Sequence, residues 1–323
     1  MAHLNGFQMA NSDKPLALNP SYILPEHKRP QLGLVSHSAS KIPVIDLTGY
    51  IDETAPAPSD LVRQVSHACE HYGFFQIINH GVPDKLCNRM LNELTLIFQL
   101  PRQERARLLS GDPTKEVRFV NYSVPIDYSV PIDDDGPHDK VNMWSECAYH
   151  RWHPTDDFTS QFPECLRSYG EVMRELCKEL GGLADRLLSL MSQGLGLKND
   201  RLKRRFEEDP SLNAHANYYP PCPAPELTLG LRPHKDPIAL NMLFQSLGAS
   251  GLQVMKDGEW IAIDPLPNAL VINLGDQLQI LSNGRYKSTV HRAVNNKDAR
   301  VSQAVFYGLA SAVTDPIEEL VGV

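Results

Sequence analysis

The chain has 323 residues, a formal net charge of -8 at pH 7 and 42% hydrophobic residues. That length fits one large or two small domains, and the composition is typical of a globular protein with a sizeable core. The negative charge argues against nucleic acid as a main partner, because phosphate binding favours a basic surface. The sequence also has neither a signal-peptide pattern nor an apolar run of membrane-spanning length. We therefore expect a protein whose partner is a small molecule.

Cysteine usage predicts the cellular compartment. The six cysteines are scattered along the chain without C-x-x-C spacing. This pattern is typical of reduced thiols, since disulfide frameworks belong to oxidising compartments. We expect a cytoplasmic protein without disulfide bonds, and we expect it to be a monomer.

The first two thirds of the chain predict an N-terminal extension followed by a mostly helical region. Residues 1–40 are polar with little periodicity, which favours an extension, and residues 41–205 form the helical region. Apolar spacing predicts, in order, a strand from Ile42, a helix over 59–72, a strand from Phe74, a helix from about Asp84 to Leu100 and a long helix over about 163–193. The apolar stripe of the long helix predicts that it packs against a sheet as part of the core.

Residues 111–142 are irregular and contain a tandem repeat. The six residues Y-S-V-P-I-D start at Tyr122 and occur again from Tyr128. Such a short duplication is no solenoid, and we interpret it as an extended loop or a hairpin over the mouth of a site. One hypothesis is that the repeat shapes substrate access, and the alternative is a surface loop that does not contact the substrate.

Residues 206–323 change to a pattern of short strands. Predicted strands begin near Asn213, His234, Gly251, Trp260, Ala269, Ser288 and Arg300. An Asp-Gly pair at Asp257 and Gly258 predicts a hairpin between the third and the fourth of them. Many short strands separated by turns indicate a barrel or a double-sheet jelly roll. With helices first and a β core second, we predict the α+β class.

The segment R-P-H-K-D-P, which starts at Arg232, carries a candidate metal site. His234 and Asp236 are two residues apart, so their side chains leave the same face of a strand or strand end. His291, in T-V-H-R-A-V, is the candidate for a third ligand. Two histidines and one carboxylate on one side of an iron ion leave the opposite positions open, and this is the ligand set of non-haem Fe(II) oxygenases.

A candidate anion site follows the third ligand along the chain. Arg300 comes nine residues after His291, and Ser302 lies two residues further on, on the same face of the predicted strand. The arginine side chain is a rigid, permanently charged fork that matches a carboxylate. The pair therefore predicts a binding site for a small carboxylate.

Together these motifs resemble the plant-type Fe(II)/2-oxoglutarate-dependent dioxygenases, the hydroxylases and desaturases of secondary metabolism. The motifs are N-Y-Y-P-P-C-P from Asn217, H-K-D from His234, H-R from His291 and R-V-S from Arg300, with I-P-V-I-D-L from Ile42 and G-F-F-Q-I-I-N-H-G-V from Gly73 in the first half. The resemblance spans about residues 40–312. It implies a double-stranded β-helix (jelly-roll) core over residues 206–323, with flanking helices from the N-terminal half.

The resemblance also implies cofactors and a mode of co-substrate binding. The cofactors are Fe(II), 2-oxoglutarate as co-substrate and O2, with ascorbate as the reductant. Arg300 and Ser302 bind the distal carboxylate of 2-oxoglutarate in this interpretation, supported by Tyr219 and Asn217. Asp236 favours hydroxylation, desaturation or demethylation, because halogenating relatives lack this carboxylate.

Two residues are candidates for contact with the substrate. Phe306 lies six residues after Arg300 and matches a family position that can stack on aromatic substrates. Trp144, which follows the irregular stretch, is the second candidate. We expect oxidation of a small specialised metabolite, such as an aromatic, phenolic, flavonoid or alkaloid compound.

Two features depart from the family pattern and leave alternatives open. The stretch with the tandem repeat is longer than usual, and the chain ends at Val323 soon after its last predicted strand, which makes the C-terminal segment short. One alternative is an ascorbate-dependent enzyme that resembles the ethylene-forming amino-acid oxidases. The other is a catalytically silent binding protein on the same scaffold.

Overall fold

The computed structural model describes residues 18–35, 42–52, 57–112, 115–126, 139–153, 159–207, 210–311, 313 and 315–322. The α-helices in these ranges are α1 (Ser59–His71), α2 (Asp84–Gln99), α3 (Arg102–Leu108), α4 (Arg167–Gly194), α5 (Arg201–Glu207) and α6 (Asp276–Leu281). In α4, apolar residues recur every three or four positions, and Leu176, Leu180, Leu183 and Leu187 are fully buried. None of the helices in the described ranges has the length and apolar character that crossing a membrane requires.

The strands form two large sheets and one hairpin. They are β1 (Val44–Asp46), β2 (Phe74–Ile78), β3 (Val117–Val120), β4 (Ser123–Pro125), β5 (Lys140–Asn142), β6 (Glu146–Arg151), β7 (Pro210–Tyr219), β8 (Leu231–His234), β9 (Leu240–Gln245), β10 (Leu252–Lys256), β11 (Glu259–Ile263), β12 (Leu270–Leu274), β13 (His291–Ala293) and β14 (Arg300–Leu309). The eight-stranded sheet has the order β1-β2-β12-β9-β14-β7-β6-β3, and the four-stranded sheet has the order β11-β10-β13-β8. β4 pairs with β5 alone.

The alternation of side chains along β14 shows how the layers are built. On one face of β14, Val301, Val305 and Tyr307 point into the main hydrophobic core. This core also contains the buried residues of α1, α2 and α4. Ser302 and Ala304 face the other way, toward the smaller sheet. The helices therefore cover one face of the eight-stranded sheet, and the opposite face is free to form a site together with the four-stranded sheet.

The α+β class is confirmed, and so are the predicted helices and the predicted hairpin. In the turn of that hairpin, between β10 and β11, Asp257 and Gly258 have φ angles of 51° and 84°. A turn in which two consecutive residues have positive φ matches the twist of the flanking strands, and Asp-Gly pairs favour this turn.

The region before residue 206 contains more β structure than its sequence predicts. β3 and β6 join the eight-stranded sheet beside β7, so strands from both sides of residue 206 share one sheet. Residues 122–126 of the first copy of the tandem repeat are described, and they include β4 of the small hairpin. The second copy, which starts at Tyr128, lies outside the described residues.

A buried histidine of β6 connects the large sheet to α4. Nδ1 of His150 lies 2.7 Å from the carbonyl oxygen of Arg151, and Nε2 lies 2.7 Å from the hydroxyl of Tyr169. Nδ1–H donates to the carbonyl, which can only accept, and the hydroxyl of Tyr169 in turn donates to Oε1 of Gln303 in β14 at 2.9 Å. Burial lowers the pKa of His150 to about 4, and the hydrogen bond to Arg151 opposes this shift only in part.

This histidine predicts a loss of stability in acid. In the unfolded chain the His150 ring binds a proton near pH 6.5, but in the folded state it does so only near pH 4. Its contribution to the free energy of unfolding is therefore complete above pH 6.5 and is lost as the pH falls toward 4. The shift corresponds to at most about 3 kcal/mol. We expect the free energy of unfolding, measured with urea from pH 7 to 4, to fall less steeply for His150→Gln than for the wild type. The control is His71→Gln at the exposed end of α1; parallel profiles for His150→Gln and the wild type would contradict the assignment.

Candidate active site

A cavity of about 400 Å³ lies between the two large sheets. Its polar wall brings together most of the residues that the sequence singles out, namely Asn217, Tyr219, His234, Asp236, His291, Arg300 and Ser302. Its apolar wall includes Leu243, Leu252, Ala304 and Phe306. Residues that are far apart in the sequence thus meet because strands of both sheets face one another here.

The two candidate histidines form a cross-strand pair. His291 in β13 lies opposite His234 at the end of β8, and the ring centroids are 4.2 Å apart. Nδ1 of His234 lies 2.9 Å from the carbonyl oxygen of Arg232, and Nδ1 of His291 lies 3.2 Å from that of Thr289. A carbonyl oxygen can accept a hydrogen bond but cannot donate one, so each Nδ1 must carry the hydrogen. Each Nε2 is then left without a hydrogen. Bare Nε2 atoms are the ones that can ligate a metal.

The carboxylate of Asp236 lies within reach of both bare nitrogens. Its Oδ1 is 3.5 Å from Nε2 of His234 and 3.7 Å from Nε2 of His291. Its Oδ2 accepts a hydrogen bond of 2.7 Å from the Asn273 side chain in β12, and its backbone carbonyl accepts one of 2.8 Å from the amide of Asp276. Oδ1 is therefore turned toward the histidines while β12 and the start of α6 hold the rest of the residue.

The electrostatics of this cluster favour a cation. Burial lowers the pKa of His291 to about 4, and the neighbouring His234 adds to this effect. Burial alone would raise the pKa of Asp236, but the neighbouring His291 and His234 and the hydrogen bond from Asn273 hold it well below its usual range. Two neutral imidazoles and one ionised carboxylate are the protonation states that metal binding needs.

In the part of the chain that the structure describes, this is the one group of three histidine, cysteine or acidic residues arranged to hold a metal. One ligand atom from each of His234, Asp236 and His291 lies within 4.8 Å of the other two. The three ligands come from one side, so further positions on a bound ion stay open for small molecules.

Arg300 supplies a buried positive charge in the same cavity. The residue is 3% exposed, and its Nε and Nη2 have no hydrogen-bond partner among the described residues. Its guanidinium carbon lies 4.0 Å above the ring of Tyr219. Burial lowers the pKa of Arg300, yet an arginine stays protonated in proteins. A buried charge with two unused donors fits an anionic ligand such as a carboxylate.

The neighbours of Arg300 are set by strand register. Tyr219 and Asn217 of β7 lie opposite Arg300 and Ser302 of β14. Burial raises the pKa of Tyr219, while the charge of Arg300 and hydrogen bonds with Ser302 and Arg300 act in the opposite direction. The register therefore places two hydroxyls and a carboxamide around one guanidinium.

A glycine leaves the space that this guanidinium occupies. A side-chain carbon at Gly251 would lie 2.8 Å from the guanidinium carbon of Arg300 and closer still to its Nε. Non-bonded carbon atoms do not approach so closely, so any larger residue at position 251 must displace Arg300.

The two candidates for substrate contact occupy different places. Phe306 lines the cavity and meets the ring of His215 at 4.8 Å. Trp144 is 2% exposed, donates a hydrogen bond to the carbonyl of Pro220 and packs edge-on against Tyr22. It is not one of the residues that line the cavity. The structure thus brings Phe306 to the candidate site and leaves Trp144 in a separate small core.

Sequence reasoning missed the residues that orient the predicted ones. Asn273 interrupts the apolar run L-V-I-N-L, and a polar residue at that point was the available signal. Gly251 carried no comparable signal, because only the fold brings it against Arg300. Lys235, between two candidate ligands, is exposed and lines the cavity.

Comparison with known proteins identifies the family. Residues 211–309 match the model of the 2OG-Fe(II) oxygenase superfamily, and residues 42–165 match that of the N-terminal region of the non-haem dioxygenases in morphine synthesis. The chain is 40% identical over 304 residues to Protein DMR6-LIKE OXYGENASE 1 of Arabidopsis thaliana, covering 93% of this chain and 82% of that protein. It is 39% identical over 287 residues to Flavanone 3-dioxygenase 2 of Oryza sativa subsp. japonica, covering 88% and 78%.

A solved structure agrees with these relatives. The crystal structure of JOX2 in complex with 2OG, Fe and JA superposes with a TM-score of 0.82 at 33% identity, covering 100% of this chain and 88% of that one. The chain therefore belongs to the 2OG-Fe(II) oxygenase superfamily and is a 2-oxoglutarate-dependent dioxygenase. The jelly-roll fold, the family, the enzyme class and the Fe(II) and 2-oxoglutarate cofactors expected from the sequence are confirmed.

The contact between Asn273 and Asp236 predicts an effect on metal affinity. Residues that orient a ligand typically contribute 10- to 100-fold to metal binding, so Asn273→Leu should weaken Fe(II) binding by about that factor. The measurement is anaerobic titration calorimetry with Fe(II). Asn213→Leu, at another asparagine of the cavity wall, is the matched control and should bind Fe(II) like the wild type. Equal affinities for Asn273→Leu and the wild type would contradict the role of Asn273.

Proposed function

We propose that this dioxygenase oxidises a small aromatic specialised metabolite, by hydroxylation, desaturation or demethylation, in the cavity between its two sheets. The proposal assigns the metal to His234, Asp236 and His291, and it assigns the distal carboxylate of 2-oxoglutarate to Arg300. The observation that carries it is the buried guanidinium with two unpartnered nitrogens on the wall that also holds the three ligand atoms. When bound, iron and 2-oxoglutarate supply the oxidising chemistry, in which O2 oxidises the substrate and converts 2-oxoglutarate to succinate and carbon dioxide.

The residues of the chain bind and orient these groups. Arg300 donates to the distal carboxylate from its free edge, and the hydroxyls of Ser302 and Tyr219 complete the carboxylate site. Asn217 donates to the carbonyl of His215 at 3.2 Å and lies beside Ser302 on the wall, where it supports the same end of the co-substrate. The desolvated surroundings strengthen each of these charge-assisted bonds.

The remaining wall receives the substrate and excludes water. Leu243, Leu252 and Ala304 form an apolar surface, and Phe306 offers a ring on which a flat substrate can stack. Tyr122, the first residue of the tandem repeat, also lines the cavity. Its position supports the hypothesis that the repeat shapes substrate access.

The reducing compartment and the monomeric state remain part of the proposal. All six cysteines are free, which suits the cytoplasm.

The assignment of the metal and co-substrate sites is tested by anaerobic titration. Adding Fe(II) and then 2-oxoglutarate to the wild type should produce the visible charge-transfer band of the chelated complex. His234→Ala should give no band at the same concentrations, because one of three ligands is missing. After O2 is admitted, succinate should form in proportion to 2-oxoglutarate consumed; O2 uptake that needs ascorbate but not 2-oxoglutarate would instead support the ascorbate-dependent alternative.

The close approach of Gly251 predicts a selective defect. Gly251→Ala forces Arg300 out of its position, so the affinity for 2-oxoglutarate should fall at least about 10-fold, the equivalent of about 1.4 kcal/mol. Fe(II) affinity in the absence of 2-oxoglutarate should not change, since the metal ligands are untouched. Gly111→Ala, whose new methyl group meets open space, is the control. Unchanged 2-oxoglutarate affinity in Gly251→Ala would rule out Arg300 as the carboxylate site.

A further inference from the structure

One asparagine of the cavity wall has a side-chain oxygen without a partner among the described residues. Asn241 of β9 is 5% exposed, and its Oδ1 makes no hydrogen bond with any described residue. The side chain lies on the cavity face, because Leu240 and Met242 on either side of it point into the core beneath the helices. Leaving such an amide unsatisfied in a folded protein is costly, which makes it a candidate for recognition of a ligand.

Register places Asn241 between the metal ligands and the aromatic wall. It lies opposite Asn273 of β12, whose side chain holds Asp236, and opposite Phe306 of β14 on its other side. Neighbouring strands are about 4.8 Å apart. A flat ligand that lies on Phe306 and reaches the metal must therefore pass over Asn241.

The charges of the cavity select among small ligands. Lys235 lines the same cavity and is exposed, whereas the side chain of Arg292 leaves the other face of β13, where it donates to Gln253 and stacks on Trp260. With the cofactors bound, the two positive charges of the metal offset the two negative charges of 2-oxoglutarate. The charge of Asp236 likewise offsets that of Arg300. The wall therefore stays positive, which disfavours an amine cation and accepts a neutral or anionic ligand.

From this arrangement we infer that Asn241 is a specificity-determining residue and that the substrate carries a hydroxyl group on its ring, as a phenol does, rather than an amine. A hydroxyl donates to Oδ1, the side-chain atom of Asn241 that has no partner among the described residues. A ring without the hydroxyl leaves the buried amide unpaired, and sites of this kind reject such analogues strongly. This inference rests on the proposed function and narrows its substrate class.

The test measures binding to the protein loaded anaerobically with Fe(II) and 2-oxoglutarate. The probes are matched pairs with and without ring hydroxyls: naringenin and flavanone, para-hydroxycinnamate and cinnamate, salicylate and benzoate. A benzyltetrahydroisoquinoline represents the amines. Dissociation constants come from titration calorimetry and from the shift of the charge-transfer band. The wild type should prefer the hydroxylated member of at least one pair by about 10- to 100-fold, and the amine should bind more weakly.

Variants of β9 separate recognition from general packing. Asn241→Leu, which keeps the volume and removes the amide, should reduce that preference to near unity, whereas Asn241→Asp keeps an acceptor and should retain part of it. Met242→Leu, next to Asn241 but pointing into the core beneath the helices, is the control and should keep the full preference. Without ligand, Asn241→Leu should melt roughly 2 °C or more above the wild type, since an unsatisfied buried amide has been removed.

The outcomes also separate this inference from the proposed function. A charge-transfer band in a wild type that binds no hydroxylated probe, or that prefers the amine, overturns the substrate class and leaves the cofactor assignment standing. An unchanged preference in Asn241→Leu overturns the role of Asn241. If the band itself does not form, the proposed cofactor site fails first.

Discussion

The pairing of His291 with His234 across two antiparallel strands is the constraint on which the site depends. It sets the two rings 4.2 Å apart, and the backbone carbonyls that accept from each Nδ1 turn both Nε2 atoms toward Asp236. Asp236 lies just beyond the end of β8, where the backbone hydrogen bond from Asp276 and the side chain of Asn273 hold it. A change in the register of β13 against β8 by one residue would turn one histidine to the opposite face and remove the site.

The cavity also holds polar groups that are buried away from water without a complete set of hydrogen bonds. A buried guanidinium is costly unless an anion meets it, and Arg300 keeps two donors that have no partner among the described residues. Asn241 repeats this situation with a neutral amide. Both groups lower the stability of the empty fold and gain their bonds from ligands.

Much of this architecture could be predicted from sequence, because period and spacing carry it. The apolar stripe of α4 and the Asp-Gly turn between β10 and β11 are local patterns, and both predictions are confirmed. The strands β3 and β6 escaped prediction because they are short and pair only with partners distant in the chain. Asn273, Gly251 and Asn241 acquire their roles through register and close approach, which no local pattern contains. Trp144, a predicted substrate contact, packs against Tyr22 and is not among the residues that line the cavity, a placement that its position after the irregular stretch does not indicate.

The central claim is that one cavity wall holds the metal on His234, Asp236 and His291 and the distal carboxylate of 2-oxoglutarate on Arg300. Its most direct test is a crystal structure of the protein grown with Mn(II) and 2-oxoglutarate under anaerobic conditions. The account predicts Mn(II) bound to Nε2 of both histidines and Oδ1 of Asp236, with the far carboxylate hydrogen-bonded to the guanidinium of Arg300. A metal bound without His291, or a co-substrate whose far carboxylate lies away from Arg300, would contradict it.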